Sequence, residues 1–154
     1  MRTTFVAVVL VWCSLFAGGI VSAQDRSHPL PLGTFVDIYT DQSVTSAQKE
    51  VGLKEGTWYE GTITVTDVEY YQNKGTGEPF TEIKDVNYQG GCYLLLFRVQ
   101  DTAKALTLKV GDRVVVRGWL SDVGMYTTKY ITVCETRFAL FKECEILSVT
   151  TPEK

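Results

Sequence analysis

The chain has a single histidine in 154 residues, His28, and it stands in Ser27-His28-Pro29, a stretch with linker character. General-base or metal chemistry on an imidazole needs a second group held beside it, so histidine chemistry is excluded. Cys-x-x-Cys, Gly-x-Ser-x-Gly, P-loop, His-Glu-x-x-His and EF-hand spacings are all missing. The sequence therefore reads as a non-enzyme with no cofactor and no metal. An excess of one charge is also missing. Fifteen Lys and Arg stand against 18 Asp and Glu, giving a net charge of -3, so there is no electrostatic footprint for nucleic acid or anionic lipid. Only 4 prolines and 13 glycines, with no repeat, exclude collagen-like and low-complexity chains. No Asn-x-Ser/Thr acceptor occurs, which suits a bacterial envelope protein better than a eukaryotic secreted one.

The N-terminus carries the one long apolar run. Arg2 supplies a positive start, Phe5–Phe16 is nearly all apolar, and Val21-Ser22-Ala23 ends in small residues. This is the pattern of a secretory signal peptide, residues 1–23, and it implies export to a bacterial periplasm or beyond the cell. The alternative is an uncleaved anchor, the only membrane association the sequence offers, because 19 residues from Phe5 to Ala23 nearly span a bilayer. Lipoprotein processing at Cys13 is excluded by the bulky Trp12 before it. Once the signal is removed, three cysteines remain, Cys92, Cys134 and Cys144. In an oxidising compartment close cysteines pair, and three cannot all pair internally.

Residues 24–56 read as a linker and N-terminal extension, with a short strand at Thr34–Thr40 and one helix at Ser43–Lys54 capped by Ser43. Strand patterns follow. Trp58–Tyr71 alternates, with Tyr59, Ile63 and Val65 on one side and Trp58, Thr62 and Thr64 on the other. Gly61 inside it marks a bulge or a close approach. Phe80–Gln89 is a second strand, and Cys92–Val99 is an apolar third strand expected to be buried on both faces. Asp101–Leu108 is a short helix or turn with Asp101 as cap. Lys109-Val110-Gly111-Asp112 turns into Arg113–Leu120, which points Val114, Val116 and Leu120 one way and Arg113, Val115, Arg117 and Trp119 the other. A turn at Ser121–Gly124, a segment Tyr126–Cys134 and a last strand Phe138–Val149 complete the chain, and residues 150–154 form a tail. This is the order of a five-stranded OB-fold barrel with a short helix between strands 3 and 4, an all-β domain over residues 57–149. Another small barrel or sandwich is the alternative.

The segment Leu108-Lys109-Val110-Gly111-Asp112-Arg113-Val114-Val115-Val116-Arg117-Gly118 resembles a Leu-Lys-x-Gly-Asp-x-Val-x-Val-x-Gly pattern common in OB-fold proteins. Together with the leader, Gly61-Thr62-Ile63-Thr64-Val65, and Leu140-Phe141-Lys142-Glu143-Cys144-Glu145-Ile146, it is similar to the tRNA_anti-like family of exported bacterial OB-fold proteins. The resemblance covers roughly residues 57–149, and Met125–Thr136 and Phe35–Val51 depart from the pattern. It implies no tRNA binding. It matches Cys144 to a cysteine in the family's last strand and Cys92 to one in strand three. A Cys92–Cys144 bridge is therefore slightly favoured over Cys134–Cys144 or three core thiols.

Two surfaces are candidates for binding. Arg98, Arg113, Arg117 and Trp119, with Trp58 and Tyr70 nearby, have the guanidinium and aromatic content with which OB-folds hold single-stranded nucleic acid. The loop Gln72–Pro79 and Met125–Thr136, with Met125, Tyr126 and Tyr130, correspond to loops that take protein or saccharide partners. Asp67, Glu69, Glu82 and Asp85 have the oxygen chemistry of a cation site, against a solvated face as the ordinary outcome. The expected function is an exported binding module that contacts a protein or small ligand. The alternative is an exported single-stranded nucleic-acid binder.

Overall fold

Alternating apolar and polar residues build strands, and the strands form one mixed sheet. The computed structural model describes residues 26–40, 43, 45, 48, 56–126 and 136–153; for Tyr39, Met125, Tyr126 and Thr136 only the backbone is described. In chain order the elements are β1 (Leu30–Pro31), α1 (Thr34–Thr40), β2 (Trp58–Thr64), β3 (Asp67–Gln72), β4 (Pro79–Val86), a 3-10 turn (Tyr88–Gly90), β5 (Tyr93–Val99), α2 (Thr102–Ala105), β6 (Arg113–Tyr126) and β7 (Thr136–Thr150). The sheet order is β1-β2-β6-β7-β5-β4-β3. Neighbours run antiparallel except β1–β2 and β5–β7, which are parallel. The protein is all-β.

There are seven strands instead of the expected five, and the hydrogen-bonded order is not closed. One reason is the extra two-residue β1 beside β2. The other is that Trp58–Tyr71 changes partners partway. β2 pairs with β6, but β3 pairs with β4, so consecutive segments lie towards opposite ends of the sheet order. At the change, the Val65 amide donates to the Asp112 carbonyl at 2.9 Å and the Thr66 amide donates to the Lys84 carbonyl at 2.9 Å. The Ser121–Gly124 turn is also corrected. β6 runs straight through it, pairing Asp122 with Leu140 and Gly124 with Phe138, and bulges absorb the irregular sequence.

The inward faces follow the alternation. Tyr59, Ile63, Val65, Val114, Val116 and Leu120 are buried with Phe97 and Phe141. Phe97 stacks on Phe141 with centroids 4.6 Å apart, and Tyr59 meets Phe141 edge-on. Each such side chain contributes about 1.5–3 kcal/mol by leaving water. Asp101 caps α2 by accepting the Lys104 amide at 3.1 Å, and Ala105 fills the core beneath it. In the Gly-Asp turn, Gly111 has φ +94° and the Asp112 carboxylate accepts the Lys109 amide at 2.9 Å, as that sequence demands.

The N-terminal segment departs from its sequence reading. Thr34–Thr40 is helix, although Val, Ile and Thr favour a strand there, and Leu30–Leu32 is part of the sheet's edge instead of a linker. The cause is tertiary. Leu32 and Phe35 are both buried in the core, and only a helical turn brings both inward after β1. Phe35 meets Tyr93 edge-on at 5.6 Å. Most of the expected Ser43–Lys54 helix lies outside the described residues. Thr45 and Gln48 within it exchange capping-box hydrogen bonds, with the Thr45 amide donating to the Gln48 side chain and the Gln48 amide donating to the Thr45 hydroxyl.

The cysteines also correct the expectation. Cys92 is disulfide-bonded, but Cys144 is a free, buried thiol. The parallel β5–β7 ladder sets Tyr93 beside Arg137 and Val99 beside Cys144. At ~3.3 Å per residue this separates Cys92 from Cys144 by roughly 20 Å along the strands, far outside the Cα range of a disulfide. The partner of Cys92 lies outside the described residues, as do Cys13 and Cys134. Burial pushes the Cys144 thiol far up from its ordinary range, which keeps it protonated and unreactive.

Two outcomes follow from the packing. A Cβ on Gly61 would lie 2.5 Å from the Leu32 Cβ. Gly61→Ala should therefore lower stability by more than ~1 kcal/mol in urea unfolding, against the gain of ~0.5–1 kcal/mol that leaving glycine normally brings in a strand. Non-reduced peptide mapping should find Cys92 bridged, and Cys144 should react with iodoacetamide only after denaturation. Native labelling of Cys144, or a Cys92–Cys144 bridge, would contradict this packing.

Candidate ligand-binding groove

The outer face of β3, β4, β5 and β7 forms a groove of about 430 Å³, within the usual size range of ligand sites. Alternation fixes what it displays. In β5, Leu95, Phe97 and Val99 point into the core, which turns Leu94, Leu96 and Arg98 outward. The ladders then set Leu94 beside Phe138, Leu96 beside Leu140, Arg98 beside Glu82, and Phe80 beside Tyr71. Leu94, Leu96, Phe138 and Leu140 form an apolar floor. Tyr71 and Phe80 stack at 5.4 Å and 21° to make one wall, and the Arg98 guanidinium lies over the Phe80 ring at 5.0 Å.

The charged groups of the groove are satisfied within it. Glu69 and Glu82 are directly opposed across β3 and β4, an arrangement that repels. Each has its own counter-ion. Arg98 Nε donates to Glu82 at 3.1 Å, and Glu82 is only 8% exposed. Lys84 Nζ lies 2.7 Å from Glu69 and 3.5 Å from Asp67. The Tyr71 hydroxyl also donates to Glu69. Hydrogen bonds from Lys84 and then Tyr71 hold the Glu69 carboxyl below its usual range, and the bond to Glu69 raises the Tyr71 phenol. Burial, the largest single influence, disfavours charge on Lys84, but its bond to Glu69 and the nearby charges of Glu69, Tyr71 and Asp67 together outweigh it, and its pKa is raised. Around an apolar floor, both cations of the polar rim are engaged by carboxylates.

The structure divides the residues expected to form one arginine–tryptophan face. Arg98 belongs to the groove. Arg117 lies on β6 and pairs with Glu60 of β2 at 2.7 Å. Arg113 is exposed beside a shallow depression with Thr62, Val115 and Thr150. Trp119 lies against Gly56, and Trp58 is buried beneath Arg26, whose guanidinium sits 4.9 Å over its ring. Tyr126 ends β6 as described backbone, and Tyr130 lies outside the described residues. The four carboxylates are divided too. Asp67 and Glu69 hold Lys84, Glu82 holds Arg98, and the buried Asp85 accepts the Thr64 amide at 2.8 Å. Among the described residues no group of three metal-type ligands comes together.

Sequence reasoning missed Phe80, Leu94, Leu96, Phe138 and Leu140 as site residues. The signal was present in Tyr93-Leu94-Leu95-Leu96-Phe97, but an unbroken apolar run does not say which face is left uncovered. A second depression borders the β7 bulge where Glu143 has φ +51°. The Lys104 ammonium donates to the Ile146 carbonyl there, Arg26 pairs with Glu145, and the Cys144 thiol beneath is inert. The cations that line it are thus engaged by its own carbonyl and carboxylate. Compared with protein-family models the sequence matches none, and compared with curated proteins it also matches none.

Proposed function

We propose that the protein is an exported OB-type binding module, without catalysis, that takes an electroneutral apolar or aromatic ligand in the β3–β4–β5–β7 groove. In this reading β2 and β3 are the two arms of the long first barrel strand, β4 and β5 are the second and third, and α2 leads into β6 and β7. β1 is an addition at the edge. The partner change at Val65 and Thr66 supports that reading, as does the parallel pairing of the third and last strands. The disulfide on Cys92 supports an oxidising compartment, in line with removal of residues 1–23 as a signal peptide.

One observation carries the ligand class: the groove pairs an apolar floor with cations already neutralised by carboxylates. Nucleic-acid affinity comes mainly from free cations meeting phosphates, and Arg98 and Lys84 are both engaged. An uncharged side chain of a protein partner, or a small apolar molecule, meets the floor without breaking a salt bridge. Drawing Arg98 away to meet a charged ligand would leave the buried Glu82 carboxylate unpaired, which is costly.

The test is fluorescence titration of the mature protein with N-phenyl-1-naphthylamine, a neutral aromatic probe, and in parallel with a labelled oligothymidine. The probe should bind saturably with little change between low and high salt, and Leu96→Glu should weaken it by ~10-fold or more. Absence of probe binding, or oligothymidine binding that is tighter and falls steeply with salt, would overturn the reading.

A further inference from the structure

β3 ends the sheet. Among the described residues it pairs only with β4, and none of them forms a strand along its other edge. The backbone bonds settle which residues face that edge. The Asn73 amide donates to the Glu78 carbonyl at 2.9 Å, which makes that position a hydrogen-bonded pair. In an antiparallel ladder such pairs alternate. Tyr71–Phe80, Glu69–Glu82 and Asp67–Lys84 are then hydrogen-bonded pairs as well. Val68, Tyr70 and Gln72 consequently turn their N–H and C=O groups away from β4. Two facts agree with that phase. Gln72 lies opposite Pro79, which has no N–H to give, and the outward Val68 amide is taken by the Asp67 carboxylate at 2.9 Å.

The free edge is self-complementary. Its outward residues, Val68, Tyr70 and Gln72, are symmetric about Tyr70. An antiparallel copy with its own Tyr70 opposite would set Val68 against Gln72, Glu69 against Tyr71, and Asp67 against Asn73. No carboxylate meets a carboxylate in that register, so the like-charge opposition that disfavours strand pairing is avoided. Tyr71 already bonds Glu69 within one chain, and the same pair of groups would meet across the axis. Tyr70 itself is 56% exposed, and a tyrosine at the centre of an interface is a typical anchor. Edge strands in monomers are blunted by Lys, Pro or bulges. Asp67–Gln72 contains no Lys or Pro, its two carboxylates are held by Lys84 of β4, and its one blocked amide, at Val68, leaves Tyr70 and Gln72 open.

We infer that the β3 edge is an interface for a second copy of this chain, paired antiparallel about a twofold axis through Tyr70. Reciprocal bonds between the two Tyr70 residues, and from each Gln72 amide to the partner copy's Val68 carbonyl, form without disturbing the Asp67–Val68 contact. Such an interface is isologous and closes at two copies. It joins the two sheets edge to edge and carries both grooves on one continuous sheet.

Sedimentation equilibrium of the mature chain over a concentration series tests this, together with amide hydrogen exchange followed residue by residue. A concentration-dependent dimer is expected, with exchange at Tyr70 and Gln72 slowing as it forms. Tyr70→Pro removes an amide that the β4 ladder does not use, so it should weaken the dimer at least ~10-fold while the monomer stays folded. If that variant fails to fold, Tyr70→Lys, which sets two ammonium groups across the axis, gives the same readout. A strict monomer at all concentrations, a dimer that neither variant weakens, or a monomer whose β3 edge is protected only by an unrelated peptide would overturn the inference.

Discussion

The structure depends on one change of hydrogen-bond partners, at Val65 and Thr66. Before it, the chain pairs with β6; after it, with β4. Every backbone group at the change needs a new acceptor or donor, because an unpaired buried amide costs about 1–3 kcal/mol. The sequence supplies them. Val65 exchanges bonds with the Gly111–Asp112 turn, the Thr64 amide is taken by buried Asp85, and the Thr66 hydroxyl donates to the Lys84 carbonyl while accepting the Val86 amide. Burial raises the Asp85 pKa, and the Thr64 amide opposes that rise. The turn at Gly111, the carboxylate at Asp85 and the hydroxyl at Thr66 thus serve one function. They let a single run of chain supply strands towards opposite ends of the sheet order.

The groove follows from that curl. With β3 carried around to β4, Tyr71 comes against Phe80 and Glu69 comes opposite Glu82. The carboxylate pair calls for two cations, and Lys84 and Arg98 provide them. Those cations are therefore spent on the fold. What remains for a ligand is the leucine and phenylalanine floor. The chemistry of the face is decided by which charges the strand register forces together, more than by how many arginines the strands contain.

Much of the sheet is legible in the sequence. The inward sets Tyr59, Ile63, Val65 and Val114, Val116, Leu120, the Asp101 cap and the Gly111-Asp112 turn all follow from local chemistry, because period-two alternation and turn residues act over a few positions. Three features did not follow, each for a nonlocal reason. Thr34–Thr40 is helical because Leu32 and Phe35 must both reach the core. Ser121–Gly124 stays extended because β7 lies alongside to pair with it. Cys92 and Cys144 are far apart because strand adjacency says nothing about register, and register puts Val99, not Cys92, beside Cys144. Alternation and residue content set Arg98, Arg113, Arg117 and Trp119 apart, but they cannot show that Glu60 and Glu82 stand ready to pair with Arg117 and Arg98.

Urea unfolding of Thr66→Val tests the central role of the partner change most directly. Valine has the same shape and a higher strand preference, so at an ordinary strand position this substitution is neutral or stabilising. Here it removes the hydroxyl that accepts the Val86 amide at 3.0 Å and donates to the Lys84 carbonyl at 2.9 Å. The account predicts a loss of ~1–3 kcal/mol with an unchanged m-value. Stability equal to or above that of the parent chain would contradict it.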